Sequence, residues 1–308
     1  MANIYLAPTS FSLYSEKPEK LLQKFDYKIR ANNFGRKLNE SEILTELKYS
    51  DGVIAGTENY TEDILNNLTN LKVISRLGVG MDNIDLATTH KLGIKVYKTK
   101  TTPAPAVAEL VLGLMLDVAR NISKSNHDLK TGQWKKQMGS LLQSKTLGII
   151  GLGTIGKALV ELVRGFNFNV LAYDLQKSDN FPAKNNVTYC ELDKLLKDSD
   201  IVSIHVNLTN QTNKLINKDR LELMKPDAIF INSSRGEIVD EKALYAALKS
   251  NKLAGAGLDV FHQEPYLGPL TKLNNLVITP HIGAYAKEIR MQMEMEAAEN
   301  LIRGLNEV

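Results

Sequence analysis

Short apolar runs alternate with amphipathic stretches along the whole chain, the pattern of parallel sheets covered by helices. In the first hundred residues the runs Asn3–Ala7, Tyr27–Ala31, Gly52–Ala55, Lys72–Arg76 and Ile94–Tyr97 predict strands. Pro18–Phe25 and Glu40–Lys48 between them carry apolar residues at helical spacing, with Asn39 or Ser41 available as N-cap for the second. Five strands joined by crossovers make one small doubly wound domain. A long helix is predicted after Pro103 and Pro105, running to about Ala119. The polar, basic segment Asn121–Ser144 follows and holds the only tryptophan, Trp134. Two readings stand for it: a connector crossing a domain or subunit boundary, or a solvated helix and loop. A second strand series comes next: Thr146–Ile150, Val170–Tyr173, Val187–Cys190, Ile201–Val206, Ala228–Asn232, Ala256–Val260 and Val277–Thr279. These runs are nearly continuous in Ile, Val, Leu and Ala, as strands buried on both faces are. A C-terminal helix over Ala286–Leu305 places Met291, Met295, Ala298 and Leu301 or Ile302 on one face, as core filling.

Composition narrows the class. A length of 308 residues suits two domains, and 43% hydrophobic with 24% charged residues excludes collagen-like, mucin-like and disordered chains. The net charge of +3 is spread evenly, which argues against a nucleic-acid partner. A single cysteine, Cys190, excludes an internal disulfide and a Cys-ligated zinc, and no metal site is expected. The N-terminal residues lack the basic and long apolar regions of a secretory signal. Ala104–Val118 is interrupted by Glu109 and Asp117, so no membrane span is expected. The expectation is a soluble, cytoplasmic protein.

The first chemistry lies at Gly151-Leu152-Gly153-Thr154-Ile155-Gly156, a G-x-G-x-x-G sequence. Alone it is weak, because glycines recur in turns. Here a predicted strand precedes it and an amphipathic helix (Ala158, Leu159, Leu162, Val163) follows, which is the context a dinucleotide site requires. Gly151 permits the tight turn, Gly153 lets the backbone approach a pyrophosphate, and Gly156 lets the helix pack closely on the strand. The helix N-terminus at Thr154 and Ile155 then faces the phosphates. The next strand ends at Asp174. A carboxylate there accepts hydrogen bonds from both ribose hydroxyls and repels a 2′-phosphate, which favours NAD over NADP.

Three later segments put polar residues at the C-terminal ends of buried strands, where open sheets bind ligands: Asn232-Ser233-Ser234-Arg235-Gly236, Asp259-Val260-Phe261-His262-Gln263-Glu264-Pro265 and Thr279-Pro280-His281-Ile282-Gly283. With the glycine fingerprint and Arg76-Leu77-Gly78-Val79-Gly80-Met81-Asp82-Asn83, they resemble the D-isomer-specific 2-hydroxyacid dehydrogenase family over nearly the whole chain. Within it the chain is most similar to D-3-phosphoglycerate dehydrogenases of the short type, without a regulatory domain. The resemblance implies a Rossmann NAD-binding domain over 99–284 inserted into a flavodoxin-like substrate-binding domain of 1–98 and 285–308. It implies His281 as general acid/base, Glu264 as its partner, and Arg235 holding the substrate carboxylate and polarising the C2 carbonyl.

The chemistry agrees with those roles. Hydride transfer to a ketone leaves an alkoxide that must gain a proton, which imidazole supplies near neutrality. A carboxylate partner fixes the imidazole tautomer and supports its protonated form, and guanidinium matches a carboxylate as a planar fork. By resemblance, the amides of Val79 and Gly80 cradle the same carboxylate from the other domain as an anion nest, with Arg76 in reach of the substrate. By the same resemblance Asp259, Ser233 and Ser234 line the nicotinamide, Gly283 belongs to the cofactor site, and His205 and Val206 stand at the cofactor edge. A lone Arg, Glu or His at a strand end is ordinarily a cap or surface residue; three in this order, each after a buried strand, are not. His90, His127 and His262 lack such context and read as surface histidines. A homodimer is implied through the long helix and the segment around Trp134.

The chain departs from the family at three places. Asn207 replaces a usual proline. Lys98-Thr99-Lys100 replaces an Asn-Thr-Pro sequence. Ile54-Ala55-Gly56-Thr57 lacks the arginine that phosphoglycerate enzymes often use for the substrate phosphate, which leaves Arg76, Lys98 or Lys100 to meet one. The expected activity is interconversion of a D-2-hydroxy acid and its 2-oxo acid, with 3-phosphoglycerate of serine biosynthesis first. Hydroxypyruvate or glyoxylate is the alternative. An NAD-sensing corepressor-type protein and a formate or phosphite oxidising enzyme are the rival classes.

Overall fold

The computed structural model describes residues 1–177 and 180–307. All twelve predicted strands form, with ends shifted by no more than two residues, in two wholly parallel sheets. The first sheet comprises β1 (Ala2–Leu6), β2 (Tyr27–Ala31), β3 (Gly52–Ala55), β4 (Val73–Arg76) and β5 (Lys95–Lys98). Its order, β2-β1-β3-β4-β5, is that of a flavodoxin-like doubly wound sheet, with its switch point between β1 and β3. β3 and β4 are buried at every position, hence their continuous apolar character. β2, at the edge, has no fully buried residue.

Asn39, not Ser41, caps the helix Glu40–Glu46. Its side chain accepts from the Glu42 N–H at 2.9 Å, and the Glu42 carboxylate accepts from the Asn39 N–H at 2.9 Å, closing a capping box. The helices Glu62–Asn67 and Leu86–Lys91 escape a periodicity reading because six residues hold too few apolar repeats. Thr61 and Asp85 cap them.

The C-terminal helix Lys287–Asn306 packs on β3, β4 and β5 and buries Ala298 and Leu301 as expected, but not Met291 and Met295. Met293, Ala297, Ala298, Leu301 and Gly304 are buried together with Arg290 and Glu294, while Met291 and Met295 are only half-buried. The cause is an ion pair. Arg290 Nε donates to Glu294 Oε1 at 2.8 Å and Arg290 Nη2 to Ser10 Oγ at 2.9 Å, while the Ser12 N–H donates to Glu294 Oε2 at 3.0 Å. Neutralised and hydrogen-bonded, the two charged residues enter the core and turn the helix toward themselves.

The second sheet comprises β6 (Thr146–Ile150), β7 (Asn169–Tyr173), β8 (Val187–Tyr189), β9 (Ile201–Ile204), β10 (Ile229–Asn232), β11 (Gly255–Leu258) and β12 (Leu276–Ile278). The order β8-β7-β6-β9-β10-β11-β12 is the Rossmann 3-2-1-4-5-6 arrangement with one further strand. The helix Ala104–Arg120 covers one face through Val107, Val111, Leu114 and Met115 against Leu147, Ile149, Ile229 and Ile231. Leu195, Leu196, Leu244 and Leu248 cover Ile150, Ile204, Phe230 and Leu258 on the other. The chain divides into two compact units, Met1–Thr102 with Tyr285–Val308, and Pro103–Ala284.

The segment after the long helix forms a helix over Ile122–Lys130 that buries nothing, then irregular backbone. Ile122, Leu129, Trp134, Met138 and Leu141 are all exposed, Trp134 at 82% and Met138 at 94%. Among the described residues no helix is long and apolar enough to cross a membrane.

Candidate active site

The glycine turn forms as its spacing requires. Gly151 has φ +97°, and a Cβ on it would stand 2.8 Å from the carbonyl carbon and oxygen of His205. Only glycine fits there. Gly153 is the N-cap of the helix Thr154–Leu162 and has nothing within 4 Å of its Cβ position. A Cβ on Gly156 would meet the Gly151 oxygen at 2.4 Å, so the first helical turn rests directly on the loop. The leading N–H groups of that helix, at Thr154 and Ile155, adjoin the open space beside Gly153.

Asp174, half-buried after β7, is tied into this turn. Its Oδ2 accepts from the Leu152 N–H at 2.7 Å and its Oδ1 from the Gln176 N–H at 2.9 Å. Each oxygen keeps a further lone pair for a hydroxyl donor. After β9, His205 Nε2 bonds Ser203 Oγ at 2.9 Å, while its buried Nδ1 has no partner among the described residues. Burial pushes the His205 pKa down to about 4, so the ring is neutral at physiological pH. Val206 Cγ1 lies 2.8 Å from the Gly151 Cβ position, beneath the turn. After β10, Ser234 Oγ donates to the Ile204 carbonyl at 2.9 Å, and Ser233 Oγ is buried without a hydrogen-bond partner among the described residues.

Arg235, Glu264 and His281 stand on the loops after β10, β11 and β12. The Asn232 side chain shapes the first loop, accepting from the Ser234 N–H at 3.0 Å and donating to the Arg235 carbonyl at 2.9 Å. Arg235 is half-buried, and its Nη1 donates to the Ser234 carbonyl at 2.7 Å. A Cβ on Gly236 would lie 2.0 Å from the Phe261 carbonyl carbon and 2.2 Å from the His262 nitrogen. The first and second loops are therefore pressed backbone to backbone. Glu264 Oε1 accepts from the Phe261 N–H at 3.2 Å. His281 Nδ1 then lies 2.9 Å from Glu264 Oε2 and 3.1 Å from Oε1, with the imidazole about one-third exposed. The carboxylate holds Nδ1, which leaves Nε2 as the nitrogen an adjacent group would meet.

Asp259, fully buried at the end of β11, organises the third loop. Its Oδ1 accepts from Thr279 Oγ1 at 2.5 Å and the Ile282 N–H at 2.8 Å, and its Oδ2 from the Gly283 N–H at 2.8 Å. Burial raises its pKa, and these hydrogen bonds oppose the rise. His281 itself sits at φ +55°, with its N–H on the Asp259 carbonyl at 2.9 Å. A left-handed conformation at a non-glycine residue costs energy, and the Asp259 contacts hold it.

This geometry agrees with comparison to known proteins. The family model for the D-isomer specific 2-hydroxyacid dehydrogenase, NAD binding domain, matches residues 112–283. A glyoxylate reductase of Thermococcus litoralis is 38% identical over 92% of this chain and 88% of its own. A D-3-phosphoglycerate dehydrogenase of Methanocaldococcus jannaschii is 38% identical over 87% of this chain and 55% of its own. The crystal structure of D-lactate dehydrogenase from Aquifex aeolicus, complexed with NAD and lactic acid, has a TM-score of 0.84. It is 28% identical, covering 99% of this chain and 95% of its own. The chain belongs to the D-isomer specific 2-hydroxyacid dehydrogenase family.

The nucleotide of this dehydrogenase is NAD, and the residues fit it. Open space at Gly153, unbonded helix N–H groups, the Asp174 carboxylate and the unpartnered polar atoms of His205 and Ser233 stand along the C-terminal edge of one sheet. Bound NAD supplies the hydride carrier. Among the described residues no group of three or more His, Cys, Asp or Glu stands together as a metal site.

In the first unit, Val79 is exposed and Gly80 half-buried after β4. Among the described residues their N–H groups make no internal hydrogen bond. Arg76 is turned beneath this loop, 7% exposed, with Nε donating to Asn83 Oδ1 at 3.3 Å and Nη1 to the Leu77 carbonyl. His90, His127 and His262 are exposed. Sequence reasoning missed Asn232, Gly236 and Thr279 as supports. All three stand inside quoted motifs, but their work is to fix backbone, which no residue type announces.

Proposed function

We propose that this dehydrogenase reduces a small, unphosphorylated 2-oxo acid, glyoxylate or hydroxypyruvate, to the D-2-hydroxy acid, and catalyses the reverse oxidation. The observation that carries the reading is the His281–Glu264 pair beside the Arg235 loop, on the edge that also bears the glycine turn. Arg235 binds the substrate carboxylate and polarises the ketone oxygen. His281 Nε2 donates a proton to that oxygen as hydride arrives at C2 and recovers it in the reverse direction, while Glu264 holds the ring and balances its charge. The amides of Val79 and Gly80 hold the substrate carboxylate as a nest. Asp174 takes the ribose hydroxyls, and Ser233, Ser234, His205, Asp259 and Gly283 border the nicotinamide.

Among substrates, 3-phosphohydroxypyruvate is the second candidate, supported by the Methanocaldococcus relative. Against it stand the neutral sequence Ile54-Ala55-Gly56-Thr57 and the buried guanidinium of Arg76. The exposed side chains of Ile122, Leu129, Trp134, Met138 and Leu141 support a homodimer, in which a second copy covers them.

The test is NADH oxidation with glyoxylate, hydroxypyruvate, 3-phosphohydroxypyruvate, pyruvate and 2-oxoglutarate, repeated with His281→Asn. Expected are turnover of the first two and a fall in kcat of about a hundredfold or more in the variant, with NADH affinity retained. Full turnover in the variant removes His281 from its role. A wild type inert towards every 2-oxo acid that still binds NADH and captures a protein partner supports the corepressor reading instead.

A further inference from the structure

The loop after β4 leaves the Val79 and Gly80 N–H groups without internal acceptors among the described residues, so those donors do not fix its shape. Side chains hold it instead. Arg76, the last residue of β4, runs beneath the loop, and its Nη1 donates to the Leu77 carbonyl. Its Nη1, Cζ and Nη2 lie 2.6, 2.9 and 3.1 Å from where a Cβ on Gly78 would stand. Gly78, at φ +152°, is thus where guanidinium and loop meet, and a side chain there would push them apart. At the far end of the loop, Asn83 Oδ1 accepts from Arg76 Nε at 3.3 Å, which joins the two ends across the base.

The same Asn83 side chain ties the closed loop to its neighbour. Its Nδ2 donates to the Gly56 carbonyl at 3.2 Å and the Glu58 carbonyl at 2.6 Å, both on the loop after β3. The Asn83 carbonyl accepts from the Tyr60 N–H at 2.8 Å. Arg76 is 7% exposed and Asn83 half-buried. Burying a guanidinium is costly, and an apolar residue at the end of a buried strand would serve packing alone. What the guanidinium adds is a fork of donors beneath one loop, directed at its first carbonyl and at the side chain that ends it.

We propose that Arg76 and Asn83 are positioning residues for the substrate: their clasp holds the Val79 and Gly80 amides together on the substrate carboxylate, and Arg76 acts from beneath the loop without meeting the substrate. This rests on the reading of Val79–Gly80 as the substrate nest. A nest binds an anion only while its N–H groups converge, and opening the base of the loop lets them diverge. Arg235 and His281 belong to the other compact unit and keep their own supports. The loss is therefore one of carboxylate binding, shared by every 2-oxo acid, and not of proton transfer.

The experiment measures KM and kcat for glyoxylate and hydroxypyruvate at saturating NADH, and Ki for oxamate, an unreducible 2-oxo acid analogue. Wild type, Asn83→Ala, Arg76→Met, Arg76→Lys and the double variant Arg76→Met with Asn83→Ala are compared. Each neutral single variant raises KM of both acids and the oxamate Ki by about tenfold, alike for the two acids. Their kcat stays within about threefold and NADH Kd within about twofold of wild type. The double variant is worse than either single one by no more than about threefold, because one clasp is opened twice; independent contributions multiply to about a hundredfold. Arg76→Lys shows the single-variant loss, since it keeps the charge and lacks the Nε donor. KM and Ki within about twofold of wild type in folded Asn83→Ala overturn the inference, and this half-buried position decides it even where the Arg76 variants do not fold. Multiplying losses in the double variant overturn it too, by making Arg76 an independent contact, and so does wild-type KM in Arg76→Lys, by leaving only a charge. A wild type inert towards every 2-oxo acid and unable to bind oxamate overturns the nest reading itself, which separates the two failures.

Discussion

Gly153→Ala separates folding from cofactor binding. The residue has φ −77° and ψ −158°, which alanine adopts freely, and its Cβ position meets nothing within 4 Å. Alanine is a poorer N-cap than glycine by up to about 1 kcal/mol. A smaller unfolded-state entropy returns about 0.4–1 kcal/mol. The net change is within about 1 kcal/mol, a Tm shift of no more than about 3 °C for a chain of this size. The methyl nevertheless fills the space through which a pyrophosphate reaches the Thr154 and Ile155 amides. Losing one charge-assisted hydrogen bond there removes about 1.5–3 kcal/mol, or about ten- to a hundredfold in NADH Kd. Gly151→Ala is the contrast. With φ +97° and backbone 2.8 Å from its Cβ, it lowers the Tm before any cofactor is added. Scanning calorimetry without cofactor and NADH fluorescence titration read the two effects. Unchanged NADH affinity in folded Gly153→Ala refutes the placement of the phosphates, and a Tm drop beyond about 5 °C refutes the open space.

Two further predictions follow from the same geometry. Asp174→Ala weakens NADH binding and narrows the preference for NADH over NADPH by about tenfold or more, read by parallel titrations; an unaltered preference removes Asp174 from the ribose. In sedimentation velocity at micromolar concentration the wild type runs as a dimer, and the double variant Trp134→Glu with Met138→Glu runs as a monomer. A monomeric wild type refutes the covered patch.

The fold was legible because parallel strands buried on both faces keep no polar positions: β3, β4, β9, β10 and β11 are buried throughout and read as plain apolar runs. The candidate site was legible where chemistry needs a particular residue type, at Gly151, Asp174, Arg235, Glu264 and His281. The C-terminal helix was read correctly at Ala298 and Leu301 and misread at Met291 and Met295, because periodicity counts Arg290 and Glu294 as solvent-facing, and only their pairing brings them inside. Glu58, 1% exposed after β3, gave no signal either. A buried carboxyl is indistinguishable in sequence from an exposed one, and its neighbours Arg76 and Asn83 come from a different strand-end loop.

Backbone contacts, rather than side-chain packing, set the positions of the three catalytic candidates, and this decides how substitutions there are read. Gly236 presses the Arg235 loop on Phe261 and His262, the Phe261 N–H holds Glu264, and Asp259 holds the His281 loop through Thr279, Ile282 and Gly283. None of these contacts uses the His281 imidazole or the Arg235 guanidinium. Arg235 Nη1 does bond the Ser234 carbonyl and His281 Nδ1 the Glu264 carboxylate, so a rate lost on removing either side chain is read beside a Tm that reports the loops. Removing the Asp259 carboxylate releases the three donors on either side of His281, Thr279 Oγ1 and the Ile282 and Gly283 N–H groups, while the His281 N–H keeps the Asp259 carbonyl, so a rate lost there measures the geometry of this loop.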